Sequence, residues 1–248
     1  MDFQIAQAAS DLISARRVVA LTGAGISIES GIPPFRGKGG LWEKIDPMEY
    51  AHIDAFIRNP DKVWQGLICE MKEVVEKAEP NDGHRGLARL ESLGILQTII
   101  TQNVDGLHQL SGNTDVIEFH GNFAWQRCME CQHRIETRRL NLEHIPPRCE
   151  CGGIFRPECI FFGEIIPPQQ LVRSKQIASA CDVMLVVGTS ASVQPAAYMP
   201  VIAKRSGAKV IEINPEITPL TSDISDYLIM GKAGEVFNRL LEEIVRLN

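Results

Sequence analysis

The chain has 248 residues, 44% of them hydrophobic and 23% charged, with a formal net charge of −6. Such a length suits one large domain, or one domain with a smaller insertion, and hides roughly 70–75% of its extended surface in a core. The acidic balance argues against direct nucleic-acid binding, which calls for a basic surplus, but it would attract a cationic protein tail.

No apolar run approaches the roughly 18 residues of a membrane span. Residues 1–17 carry Asp2 and Asp11 and lack a basic start followed by an apolar stretch, so no secretory leader is expected and the cytoplasm is the expected compartment. There the seven cysteines stay reduced, and clustered ones read as metal ligands rather than disulfides.

Phe3, Ala6, Ala9, Leu12 and Ile13 recur at helical spacing and predict an opening amphipathic helix. Residues 18–21 form a short apolar run ending in Thr22-Gly23-Ala24-Gly25, which reads as a buried parallel strand entering a glycine turn. Residues 37–80 look loop-like at first, then helical around 61–78. A helix over 86–93 and a strand over 98–101 come next. Residues 123–157 hold four cysteines, several arginines and Pro146-Pro147, with almost no apolar run. A segment so poor in core formers needs another source of stability, and a metal would supply it. A helix over 170–180 then precedes strands at 183–187 and 209–213, with a weaker one at 227–230. Val236, Leu240, Leu241, Ile244 and Val245 predict a closing amphipathic helix. Strands alternating with helices imply a doubly wound parallel α/β sheet.

Gly23-Ala24-Gly25 after a strand lets a backbone approach a pyrophosphate resting on a helix N-terminus, although a plain tight turn explains it equally. The third small residue of the usual dinucleotide fingerprint is replaced by Ile28, and no strand ending in an acidic residue occurs about 20 residues on. A hydride-transferring dehydrogenase therefore fits poorly.

Cys128-Met129-Glu130-Cys131 and Cys149-Glu150-Cys151 are separated by seventeen intervening residues. Two such pairs can converge on one tetrahedral zinc, and four thiolates close its shell, so the site is expected to be structural. The second pair is tighter than the common spacing, so Gly152-Gly153 must supply conformational freedom. Cys69, Cys159 and Cys181 lie singly among apolar residues and read as core.

Gly23-Ala24-Gly25-Ile26-Ser27, followed by Glu29-Ser30-Gly31-Ile32-Pro33-Pro34-Phe35-Arg36, resembles the first signature of the sirtuins. Thr101-Gln102-Asn103-Val104-Asp105 with Leu107-His108 is similar to the second, Phe119-His120-Gly121 to the third and Phe162-Gly163-Glu164 to the fourth. Gly188-Thr189-Ser190 and Asn214-Pro215-Glu216 complete the set in family order.

The resemblance implies an NAD-dependent protein-lysine deacylase of the prokaryotic type. Its large Rossmann-like domain would span 1–36, 81–121 and 158–248, with a helical and cofactor-loop insertion at 37–80 and a zinc-ribbon module at 122–157. His120 is the implied general base, and its near-neutral intrinsic pKa suits removal of a ribose proton. The acyl-lysine carbonyl oxygen would attack the ribose carbon bearing nicotinamide and expel nicotinamide, and a ribose hydroxyl activated by His120 would then attack the imidate and take the acyl group, freeing the lysine. Asn103 and Asp105 match the pocket for the nicotinamide carboxamide, and Gln102 matches a residue beside the ribose. NAD would further be held by Gly23, Ala24, Gly25 and Ser27, by Phe35, Arg36 and Trp42 of the closing segment, and by Gly188, Thr189, Ser190, Asn214, Pro215, Glu216 and Ala233. The acyl-lysine protein or peptide would meet Phe162, Gly163, Glu164 and Val193, adding as a strand between 163–165 and 192–194.

Relatives that take succinyl or malonyl groups use a Tyr and an Arg three residues apart in the helical segment. Leu67 and Glu70 stand at those positions here, and a Glu would repel an acyl carboxylate, so an uncharged acyl group is expected, acetyl first. The alternative on the same scaffold is an ADP-ribosyltransferase or NAD hydrolase.

Overall fold

The structure is a computed structural model that describes residues 1–37 and 39–247. Among the described residues nine strands succeed one another: β1 (Val18–Thr22), β2 (Leu96–Thr101), β3 (Val116–Glu118), β4 (Gly121–Cys128), β5 (Arg134–Glu136), β6 (Phe155–Cys159), β7 (Val183–Val187), β8 (Lys209–Asn214) and β9 (Tyr227–Met230). Six form one parallel sheet in the order β3-β2-β1-β7-β8-β9, and three form an antiparallel sheet in the order β5-β4-β6. The chain thus forms the doubly wound sheet its alternating pattern implies, with a smaller module beside it.

Every residue of β1 and β7 is buried, because helices cover both faces. Val18 and Ala20 point into one core with Leu12, Leu87, Phe237 and Leu240, whereas Val19 and Leu21 point into the other with Met184, Ala178 and Met199. The first core lies under helices Asp2–Ser14, Asp82–Ser92 and Ala233–Leu247, and the second under Pro168–Ala180 and Met199–Arg205.

The opening helix forms, but its buried stripe is Ile5, Ala8, Ala9 and Leu12, while Phe3 is 80% exposed. The phase expected from the sequence starts too early; the face pressed on Ala233–Leu247 keeps the spacing i, i+3, i+4, i+7 from Ile5. In the closing helix the buried residues include Val236, Phe237, Leu240 and Ile244, and Val245 faces solvent. Strands β3 to β6 have no apolar run to reveal them: β4 reads GNFAWQRC and β6 contains Pro157.

Residues 41–77 form a series of short helices, as the loop-then-helix pattern implies. Within the last of these, Pro60–Val63 passes through a π turn, Trp64–Ile68, into Cys69–Lys77. No described helix is long and apolar enough to cross a membrane.

Candidate active site

In an open parallel sheet, ligands bind outside the carboxyl ends of the strands where the strand order reverses. Here that point lies between β1 and β7. Gly23 N–H donates to the Val187 carbonyl and Gly25 N–H to the Gly188 carbonyl at 2.7 Å. A Cβ on Gly25 would stand 2.7 Å from the Gly188 backbone, and one on Gly188 only 2.3 Å from the Ile26 nitrogen. The two loops therefore touch backbone to backbone, which only glycine permits. The first loop leads into a seven-residue 3₁₀ helix, Ala24–Ser30, rather than the α-helix expected to carry the pyrophosphate.

A cavity of about 570 Å³ opens from this point. It is lined by Gly23, Ala24, Gly25, Phe35, Arg36, Trp42, Gln102, Asn103 and His120, by Phe162, Gly163 and Glu164, and by Gly188, Thr189, Ser190, Val193, Asn214, Pro215 and Glu216. Ser27, Asp105 and Ala233 are not among the lining residues. Ser27 and Asp105 stand one bond behind the wall: Asn103 Nδ2 donates to Ser27 Oγ at 3.1 Å, and Ser27 Oγ donates to Asp105 Oδ2 at 2.7 Å. Ala233 is buried at the start of the closing helix, against Gly83. Its Cβ packs inward because that helix must cover the sheet.

His120 sits in the turn between β3 and β4, with Nδ1 3.0 Å from the Gln102 carbonyl. A carbonyl can only accept, so Nδ1 carries the hydrogen and Nε2 keeps its lone pair when the ring is neutral. Burial lowers the pKa of His120 from its ordinary value, with the Gln102 carbonyl working against that shift. Gln102 also donates from Nε2 to Thr189 Oγ1 at 2.9 Å, and Asn214 Nδ2 donates to the Thr189 carbonyl at 3.0 Å. Burial raises the Asp105 carboxyl, with the Leu107 N–H and the Ser27 hydroxyl opposing it.

Behind Ser27 lie two buried histidines to which the sequence alone assigned no role. His84 Nε2 is 3.4 Å from Ser27 Oγ, His108 Nε2 is 2.9 Å from Thr22 Oγ1, and their rings stand edge to face at 5.0 Å. Burial pushes His84 down to about 4 and His108 to about 3, so both are neutral near pH 7. His84 also closes the capping box of helix Asp82–Ser92 with Asn81, a signal present in the sequence as Asn81-Asp82-Gly83-His84.

The sulfurs of Cys128, Cys131, Cys149 and Cys151 all lie within 4.8 Å of one another, with Cys128–Cys151 at 3.5 Å and Cys131–Cys149 at 3.7 Å. Zinc–sulfur bonds of about 2.3 Å in a tetrahedron place sulfurs about 3.8 Å apart, so the cluster fits that ion. Gly152 has φ of +89°, and a Cβ on Gly153 would meet the Cys128 sulfur at 2.6 Å. Both glycines are thus required by the tight Cys149-Glu150-Cys151 turn.

The Sir2 family model matches residues 23–195. The chain belongs to the Sir2 family. It is 48% identical to NAD-dependent protein deacylase 2 of Pyrobaculum aerophilum over 95% of this chain and 94% of that protein. Among solved structures it is similar to a Sir2 homologue bound to ADP-ribose, with TM-score 0.92, 43% identity and coverage of 97% of this chain and 96% of that one. It is also similar to a Sir2 protein bound to a myristoylated histone peptide, with TM-score 0.84, 38% identity and coverage of 100% and 98%.

One expectation about the acyl end of this Sir2 site needs correction. Glu70 is exposed and is not among the lining residues, so it cannot repel an acyl carboxylate from within the cavity. Leu67, Ile68 and Met71 line it instead, beside Ala51, Val104, Phe123 and Phe161. Glu164, expected to meet substrate, lines the cavity, and its carboxylate is also held by its neighbours. Its two oxygens accept from Arg156 at 2.7 Å each, and one also accepts the Phe161 N–H. Burial alone would raise this carboxyl, but Arg156 holds it below its ordinary value.

Proposed function

We propose that the protein is an NAD-dependent protein-lysine deacylase in which His120 is the base and the acyl group ends on ADP-ribose. The observation that carries the reading is the convergence of His120, Gln102 and Asn103 on one cavity at the switch point of the sheet. The relatives support it, one named as a deacylase and others seen with ADP-ribose and with an acylated peptide.

NAD, when bound, supplies an electrophilic ribose carbon and the hydroxyl that accepts the acyl group. The glycine loops, packed backbone to backbone, line the part of the cavity where its pyrophosphate would lie. Asn103, held by its bonds to the Gly23 carbonyl and Ser27, presents its remaining polar capacity toward a carboxamide. His120, with Nδ1 fixed on the Gln102 carbonyl, uses Nε2 to take a hydroxyl proton. Phe162 and the apolar wall of Leu67, Ile68 and Met71 exclude water and suit an uncharged acyl group, acetyl first.

The zinc held by Cys128, Cys131, Cys149 and Cys151 is structural in this reading, since four thiolates leave no open position. The partner is an acyl-lysine protein rather than a nucleic acid, supported by the net charge of −6. The compartment is the cytoplasm, supported by seven cysteines that pair in no disulfide. The large domain would comprise 1–36, 81–121 and 158–248; the start of β4 at Gly121 and the end of β6 at Cys159 support its border with the zinc module.

Incubation with NAD and an acetyl-lysine peptide tests the reading by mass spectrometry. Wild type is expected to release nicotinamide and O-acetyl-ADP-ribose, and His120→Ala to lose the second product by roughly 10²–10⁴-fold. ADP-ribose on protein, without O-acetyl-ADP-ribose, would establish the transferase instead.

A further inference from the structure

Glu212 is an acidic residue in the middle of an apolar strand. On β8 its neighbours Ile211 and Ile213 enter the first core and Val210 the second, and Glu212 itself is only 1% exposed. Alternation along the strand turns it to the side of Val210. A carboxyl group buried there costs stability unless hydrogen bonds satisfy it. Two hydroxyls do so: Oε1 accepts from Thr218, and Oε2 accepts from Thr221 at 2.7 Å.

Both threonines belong to the loop that leaves β8, which therefore folds back over the strand it has just left. Thr221 Oγ1 also accepts the Thr218 N–H at 3.0 Å, and Thr218 Oγ1 accepts the Leu220 N–H at 3.1 Å. Leu220 is buried in the second core. Residues 214–219 line the cavity, whereas Glu212 and Thr221 do not. The rim Pro215-Glu216-Ile217 is exposed and hangs between two pins. One pin is Asn214, bonded to the Thr189 carbonyl; the other is Thr218, bonded to Glu212. Pro215 and Pro219 each fix a φ angle, so this short rim has little freedom while both pins hold.

We propose that Glu212 is a positioning residue for the cofactor: through Thr218 and Thr221 it presets the rim 215–217 before the adenosine side of NAD arrives. The proposal rests on the deacylase reading, from which it takes NAD as the ligand of this cavity. Releasing a pin transfers part of the loop's ordering cost to binding, which weakens affinity and leaves the chemical step intact.

Thr221→Val removes one hydroxyl from Glu212 at a residue outside the cavity, and Thr221→Ser keeps it. Calorimetric titration with ADP-ribose is expected to find Kd raised roughly 3–10-fold in Thr221→Val and in Glu212→Gln, the worth of about one hydrogen bond, and restored to within about 2-fold of wild type in Thr221→Ser. With NAD and an acetyl-lysine peptide, KM for NAD should rise in step, while kcat changes by less than about 2-fold. Hydrogen exchange read by mass spectrometry should find the segment 216–222 protected in unliganded wild type. In Thr221→Val that protection should fall roughly 10-fold and return when ADP-ribose is added. Unchanged ADP-ribose affinity in Thr221→Val and Glu212→Gln would overturn the assignment, as would a fall in kcat with KM for NAD unmoved, or an equal loss in Thr221→Ser. Should the variants fail to fold by circular dichroism, wild type decides alone: a segment 216–222 that exchanges freely until ADP-ribose is added is not preset, and the inference fails. Absence of both ADP-ribose binding and O-acetyl-ADP-ribose in wild type would remove the cofactor reading, and this inference with it. Product formed by wild type, with variants that bind ADP-ribose as it does, would overturn this inference alone.

Discussion

In β1 and β7 every residue is buried, whereas in β4 the buried residues are Phe123, Gln126 and Cys128, set among partly or fully exposed ones. The parallel sheet is held by apolar packing on both faces and positions the cofactor end of the site through backbone contacts. The small sheet packs on a separate aromatic cluster that includes Phe56, Trp64 and Phe161, and it carries the cysteine cluster and Arg156, whose guanidinium is buried and paired with Glu164. One wall of the site thus belongs to the main core, while the opposite wall is expected to draw on the metal site.

The largest expected effect comes from breaking the weaker side. Removing zinc with a chelator, or substituting Cys151→Ser, should unfold the small module, since structural zinc contributes on the order of 10 kcal/mol or more to such units. Near-ultraviolet circular dichroism and metal content would show it, and a module that keeps its signal without metal would sink the contrast. On the stronger side, Gly188→Ala should cost several kcal/mol, because its φ is +59° and the added Cβ collides with the Ile26 nitrogen. Calorimetric titration with NAD should find binding lost in that variant, while Gly207→Ala, at φ +94° but in open space, should bind normally.

A smaller effect sharpens the same contrast through pH. His84 and His108 are held neutral by burial on the parallel-sheet side, with folded values of about 4 and about 3 against an ordinary 6.5. The unfolded chain therefore binds more protons as pH falls below 6.5, so stability is full above that value and declines toward pH 4. The slope is roughly 1.4 kcal/mol per pH unit for each group. Urea unfolding at pH 7 and pH 5 checks this, and equal midpoints would contradict it. The smallest effect concerns the reaction itself. Because burial lowers the pKa of His120 and the base must be neutral, the acid limb of kcat/KM should fall below pH 6.5. A limb above that value would contradict the assignment.

The same contrast governs how much of the molecule was legible in its residues. Strands β1, β2, β7, β8 and β9 show as apolar runs because a doubly covered sheet demands them. Strands β4 to β6 hide, since a ladder shared among Arg127, Arg134, Gln126 and Pro157 satisfies backbone hydrogen bonds without an apolar pattern. Only the cysteines betrayed that region. At the site, motif order singled out His120, Gln102 and Asn103, which the fold brings to one cavity, whereas Glu70 faces solvent, which no local pattern announces. His84 and His108 were missed because a histidine's burial depends on partners far along the chain, Ser27 and Thr22.

Gln102 gives the site an unusual economy of wiring. Its carbonyl orients the His120 ring, and its amide grips Thr189, whose own carbonyl holds Asn214. One residue thus links the proposed base His120 to the loop that would cradle the adenosine side of NAD. In the proposed reaction, affinity for the dinucleotide and the rate of the chemical step would therefore share a hinge.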